Sequence, residues 1–216
     1  DTSLIKIVHP GIDVYDDFIT DEDKINVANI ICKKSPVITT LARVEERKGH
    51  VFILNAITEI KEKFPNVLYL IAGKGPYLEN IKKITKEMNL EANVKFLGWI
   101  TEPEKSLILK LSDLFVMTPT TVGESVEGFG MAYIDASFHG VASIGSDSGG
   151  VSDAILNNKT GIICESGNQK MITEKILLLL ENKKLRKSMG TNGRLRAIEN
   201  YAWDKITTKY EDLFKT

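Results

Sequence analysis

The stretch from Glu124 to Asp135 reads ESVEGFGMAYID and concentrates groups that can do chemistry. It follows an apolar run, DLFVMTP at 113–119, and leads into Met131, Ile134 and Phe138 at helical spacing. Glu127, Gly128, Phe129 and Gly130 lie between the two. A strand, a glycine-bearing turn and a helix start bring backbone N–H groups together, and the helix dipole adds partial positive charge. Such a place binds anions. Carboxylates at Glu127 and Asp135 accept hydrogen bonds from hydroxyls. The combination suits a ligand that is part phosphate and part polyol.

A second set of candidates lies in ARVEERKGH, 42–50. Arg43 can grip a phosphate through paired N–H groups, Lys48 can act as a point charge, and Arg47 stands beside them. Gly49 lets the chain approach closely. In FLGWI, Trp99 follows Gly98 and could wall a planar base. Each feature also has an ordinary reading. A charged loop is commonly a solvated surface, and a lone GxG commonly serves a turn. Glu127 could cap a helix, Asp135 could be an exposed helix residue, and Trp99 could pack in the core.

These residues need elements to position them. The runs VITTLA (37–42), VLYLIAG (67–73), VKFLG (94–98), LFVMT (114–118), VASIG (141–145) and TGIIC (160–164) read as buried parallel strands. LIKIV (4–8) reads as a further short strand before a turn at HPGID (9–13). Helices are expected around Asp21–Ile31, over Phe52–Ile60, over Leu78–Met88 and from Thr101 through Leu111. Thr101 and Glu104 have capping-box spacing. A short helix closes at Ile155, and 169–216 is helical with breaks near Asn182 and Asn200. Strands alternating with helices predict an α/β fold. Its expected form is a doubly wound, Rossmann-like parallel sheet of about six strands, with helices on both faces and further helices at the C-terminus. In the usual order 3-2-1-4-5-6 the binding crevice lies outside the carboxyl ends of strands 1 and 4. That order brings the 43–48 loop and the Glu127 loop to one place. Ser148–Gly150 and Gly98–Thr101 open at the same end.

Composition narrows the classes. The chain has 216 residues, 43% apolar and 26% charged, with a net charge of −1. That balance argues against a broad nucleic-acid surface. No apolar run approaches the roughly 20 residues of a membrane-spanning helix, and no signal peptide opens the chain. Cys32 and Cys164 sit in apolar settings and read as small buried hydrophobes in a reducing compartment. His9, His50 and His139 lie in unrelated segments, so no metal-ligand spacing is present. The chain begins at Asp1 without a methionine, which suggests a fragment.

HPGID, ARVEERKG, IAGKGP, FLGWI, EGFG, SDSGGVSDAI, KTGI and YAWDKITTKYEDLF together resemble the C-terminal domain of retaining GT-B glycosyltransferases, the group 1 family. Each motif is short, but the set occurs in family order and covers nearly the whole chain. The resemblance implies a metal-independent hexosyltransferase that keeps the anomeric configuration and uses no cofactor. A nucleotide-diphosphate sugar would be its donor substrate. Arg43 and Lys48 would hold the diphosphate, and Glu127 would face the donor sugar, making these the catalytic set. Gly98, Trp99 and Ile100 would line the base. Gly128, Phe129, Gly130 and Met131 would contact sugar and phosphate. Asp135 falls where the family has a ribose-binding glutamate, one methylene longer. Ala42 and Ala142 depart from a usual glycine and proline.

The loop TPTTVGESV (118–126) is similar to that of mannosyl-transferring relatives and points to GDP-mannose, with UDP-sugars nearly equal. The implied setting is polysaccharide or lipopolysaccharide biosynthesis in the cytoplasm, with peripheral association at the inner face of the membrane left open. The division expected is a linker over 1–20, a nucleotide-sugar-binding domain over 21–200 and a closing helix over 201–216. An N-terminal domain absent from this chain would bind a glycan or lipid-linked acceptor, so the chain alone would be inactive. Two rivals share the architecture: a non-catalytic nucleotide-sugar-binding module, and a sugar-nucleotide epimerase-like enzyme.

Overall fold

Alternate residues of the central strands belong to opposite faces of the sheet, and this decides the layers. In the computed structural model, which describes residues 5–13 and 19–214, β2 (Leu68–Ala72) is buried along its whole length. Tyr69 and Ile71 pack with α2 (His50–Lys63) and α3 (Leu78–Glu87) on one side. Leu68 and Leu70 pack with α1 (Asp21–Ile31) and α4 (Glu102–Leu111) on the other. A strand apolar on both faces needs cover on both, which is the condition for a parallel sheet.

The remaining strands are β1 (Val37–Leu41), β3 (Val94–Gly98), β4 (Leu114–Val116), β5 (Ser143–Ser146) and β6 (Gly161–Cys164). They lie in the order β3-β2-β1-β4-β5-β6, and every pairing is parallel. The switch point between β1 and β4 is where the topology predicts a binding crevice. Beyond β4 come α5 (Met131–Phe138) and α6 (Val151–Ala154). The chain then runs through α7 (Gln169–Glu181), α8 (Lys183–Tyr201) and α9 (Trp203–Phe214). Tyr133, Ile134, Val151 and Ala197 form a core cluster on one face, while Ile53, Ile57, Ile172 and Ile176 belong to the cluster on the other. The capping box at Thr101 is present, and a matching one at Thr20 starts α1. Among the described residues no helix is long and apolar enough to cross a membrane.

Three expectations change. LIKIV is not a strand over residues 5–8, and Leu4 lies outside the described residues. Ile5 and Ile7 are exposed and make no ladder, so the run gains no interstrand hydrogen bonds. The segment is attached instead by a bridge from Ile12 to Ala202: Ile12 N donates to Tyr201 O at 2.8 Å and Trp203 N to Ile12 O at 3.2 Å. The same bridge moves the last helix break from the vicinity of Asn200 to Ala202, whose backbone turns extended to make it. Cys32 is exposed rather than buried, because it caps α1 in a left-handed conformation at the helix end. Cys164 is buried as expected, and burial pushes its thiol up to about 11. The proposed linker over 1–20 and closing helix over 201–216 extend into residues 1–4, 14–18 and 215–216, outside the described residues.

A buried polar chain runs under the switch point. Tyr69 Oη lies 2.9 Å from Thr40 Oγ1 and 3.0 Å from His50 Nδ1, and Thr40 Oγ1 donates to Val116 O. It ties β1, β2, β4 and the first residue of α2 together. His50 Nε2 has no hydrogen-bonding partner among the described residues. Burial, helped by the Lys48 charge, holds His50 down to about 4. The unfolded chain takes up this proton near 6.5, so neutral His50 contributes fully above that pH. Its contribution is lost as pH falls from 6.5 towards 4, because only the unfolded state binds the proton there. Urea unfolding at stepped pH should show wild type losing up to about 3 kcal/mol more than His50→Gln across this window. The same pH dependence in both proteins would refute the assignment.

Candidate functional site

The loop after β1 and the loop after β4 are stitched together before any ligand arrives. Glu46–Lys48 forms a short 3-10 turn, and Gly49 follows with φ +76°. A Cβ on Gly49 would stand 2.0 Å from Thr118 O, so both the conformation and the contact exclude a side chain. Thr120 N donates to Arg47 O at 2.7 Å. The Arg47 guanidinium reaches Glu45 Oε2 at 3.0 Å, Glu127 Oε2 at 3.1 Å and Val126 O at 3.3 Å. The Lys48 ammonium donates to Glu127 Oε2 as well. Lys48 and Glu127 are both buried. Glu127 thus bridges two cations at the β1–β4 switch point, and Glu45 gives Arg47 a second carboxylate.

Glu127 is fixed from the far side by the turn after β5. Gly150 N donates to Glu127 O at 2.9 Å. Gly149 has φ +60°, and a Cβ there would lie 2.0 Å from Glu127 O. Gly130, also left-handed, starts α5 without a side-chain cap; Tyr133 N donates to Gly130 O at 2.9 Å, with Met131 and Ala132 ahead of it in the first turn. A Cβ on Gly128 would meet nothing within 4 Å, and the chain there is open to a ligand. The Phe129 ring turns away and stacks on His9, with centroids 4.2 Å apart, leaving its backbone to the loop. Beneath α5, Tyr133 Oη donates to Met117 O at 2.5 Å, and burial beside Glu127 pushes its phenol well above the usual range.

Two clefts hold other residues named from the sequence, and neither is lined by Arg47, Lys48 or Glu127. One, of about 400 Å³, lies at the carboxyl ends of β1, β2 and β3 and is lined by Arg43, Lys74, Gly98, Trp99, Ile100 and Lys105 among others. Trp99 is 72% exposed and therefore no core residue. The Arg43 side chain is 71% exposed and rests on Glu45 at 3.1 Å. The other cleft, of about 320 Å³, is lined by Met131, Asp135, Lys105 and Trp203, with Gly11 and Ile12 behind them. Lys105 lines both clefts and lies 3.7 Å from Asp135.

The structure therefore brings Lys48 and Glu127 into direct contact and places Arg43 near them through Glu45. Gly98, Trp99 and Ile100 form the wall of one cleft. Asp135 is set apart in the neighbouring cleft with Met131. Sequence reasoning named Arg47 without a role and left out Glu45 and Lys105. Arg47 was visible only as one of three cations in its loop, Glu45 as an anion of the same loop, and Lys105 as a residue one turn inside a capped helix. Nothing in residue type separates an exposed cation from one locked onto Glu127. Among the described residues no group of three or more His, Cys, Asp or Glu is placed to hold a metal.

A parallel sheet in the order β3-β2-β1-β4-β5-β6 with helices on both faces defines an α/β domain of the doubly wound, Rossmann-like kind. The chain belongs to the glycosyl transferases group 1 family, whose profile matches residues 21–196. It is 31% identical over 170 residues to a GDP-mannose-dependent alpha-(1-6)-phosphatidylinositol monomannoside mannosyltransferase of Mycolicibacterium smegmatis, over 78% of this chain and 44% of that one. Its fold matches Anabaena HepE, solved with UDP and glucose, at a TM-score of 0.84 and 18% identity, over 97% of this chain and 56% of that one. It also matches S. aureus TarM, solved in a complex containing UDP, at a TM-score of 0.74 and 27% identity, over 84% and 36%. The chain spans about half the length of the curated relatives it matches.

Replacing Glu127 leaves Lys48, largely withdrawn from water, without a counter-charge and leaves Arg47 with Glu45 alone. Glu127→Gln should lower unfolding stability by about 2–3 kcal/mol, measured by urea denaturation. A loss below about 0.5 kcal/mol would mean that the cluster is solvated and weak.

Proposed function

We propose that this chain is the donor-binding part of a retaining, metal-independent hexosyltransferase that takes a nucleotide-diphosphate sugar. One observation carries the reading: Lys48, Arg47 and the uncapped start of α5 surround Glu127 at the switch point, beside an open cleft walled by Trp99. The base would lie against Trp99, Gly98 and Ile100. The diphosphate would reach Arg43, Lys48 and the amides from Gly128 to Met131. Glu127 would exchange Lys48 for the donor sugar's hydroxyls, with Arg47 keeping hold of its carboxylate. As the bond from the anomeric carbon to the diphosphate breaks, negative charge grows on the leaving oxygens. Fixed cations and amide dipoles stabilise that charge without rearranging. They serve in place of a metal ion or cofactor.

GDP-mannose is the favoured donor, supported by the 118–126 loop and by the mannosyltransferase relative. A glycan or lipid-linked acceptor would bind a part of the protein beyond this chain, at work in the cytoplasm. Calorimetric titration of the chain with GDP, UDP and ADP, each with and without magnesium, tests the reading. GDP should bind without metal. Lys48→Ala should weaken that binding by about 2 kcal/mol, and the more exposed Arg43→Ala by about 1 kcal/mol. Failure of all three nucleotides to bind, or unchanged affinity in both variants, would overturn the proposal.

A further inference from the structure

We infer that Glu45 is a positioning residue that acts through Arg43: it holds Arg43 while the site is empty and competes with an entering diphosphate for it. This rests on the donor-binding reading and gives a role to a residue which that reading leaves out. The chain brings the pair together. Val44 is buried, its N–H donates to Lys74 O at 3.0 Å, and its carbonyl accepts from Tyr77 N at 3.1 Å. Glu45 N donates to Arg43 O at 2.9 Å, a three-residue turn about Val44 that sets its two neighbours side by side. The backbone beneath both charges is thus tied to the 74–77 turn.

The two carboxylate oxygens of Glu45 take different partners. Oε2 accepts from Arg47 Nε at 3.0 Å, and Oε1 lies 3.1 Å from Arg43 Nη1. Arg47 is 18% exposed and is also held by Glu127 and Val126 O, so the loss of one contact leaves it in place. Arg43 is largely exposed, and Glu45 is its one ion-pair partner among the described residues. A pair with so wet a member is weak and readily exchanged. Arg43 is therefore the cation that a ligand can take. Taking it breaks the pair and leaves the Glu45 carboxylate facing the bound anion, a repulsion added to the cost. A nucleoside diphosphate has a base to offset that cost, and inorganic phosphate or pyrophosphate has none. The row Arg43, Glu45, Arg47, Glu127, Lys48 alternates in sign, so each cation has a carboxylate beside it until a ligand arrives. When the nucleotide leaves after transfer, Glu45 takes Arg43 back and favours release.

The chain is titrated calorimetrically with pyrophosphate and with GDP at low ionic strength. Glu45→Gln keeps the size of the side chain and removes its charge. It should tighten pyrophosphate binding about threefold, within the range of an exposed ion pair, and GDP binding by a similar factor. In the Arg43→Ala background the same substitution should change either affinity by less than about 1.5-fold, because Glu45 then has no Arg43 to withhold. Unchanged or weaker binding of both ligands in Glu45→Gln overturns the inference alone. So does an equal gain with and without Arg43, which would make Glu45 only a source of negative potential. No binding of any nucleoside diphosphate or of pyrophosphate by wild type overturns the donor reading and this inference with it. If Glu45→Gln does not fold, Glu45→Asp decides: its shorter side chain keeps a charge for Arg47 but falls short of bridging to Arg43, and it should show a gain in the same direction.

Discussion

The Glu127 carboxylate is shared between two cations from another loop, and much of the site's geometry follows from that sharing. Lys48, Arg47, Glu127 and Glu45, crowded together and largely out of water, are tolerable because they neutralise one another. Lys48 and Arg47 come from the loop after β1, and Glu127 from the loop after β4. Their contact closes the switch point into one unit. Without it, two long side chains and an open loop would each have to be ordered separately, at the expense of conformational entropy.

The rest of the framework serves to hold that unit still. Gly149 and Gly150 bring the turn after β5 backbone-to-backbone against Glu127 and Gly128, a distance no side chain permits. The buried chain Thr40–Tyr69–His50 links three strands and the start of α2 directly behind Lys48. The loops that these contacts support follow the carboxyl ends of β1, β4 and β5. Loops placed this way inherit the rigidity of the sheet while keeping their amides and charges at the surface.

The sheet was legible because its signals are local. Six β-branched or apolar runs separated by helical spacing leave few topologies, and the observed order is the one they allow. The capping box at Thr101 was legible for the same reason, since its residues are three apart. LIKIV misled because a strand needs a neighbour, and no neighbour is visible in the run itself. Ala202 as the helix break was hidden because its extended backbone is set by Ile12, far away in the chain. Within the site, residue types brought Lys48 and Glu127 to the same crevice by topology, and the structure places them in contact. Arg47 was named without a role and Lys105 escaped notice because their distinction is burial and partner choice, which charge alone does not encode.

Phe129 and His9 are stacked face to face, with an interplanar angle of 14°. His9 belongs to the segment that Ile12 and Gly11 fasten against the junction of α8 and α9. Phe129 lies between Gly128 and Gly130, in the loop that starts α5. The two rings join the segment before Ile12 to the loop before α5 by direct contact, so a chain displaced at His9 loses the stack that covers Phe129.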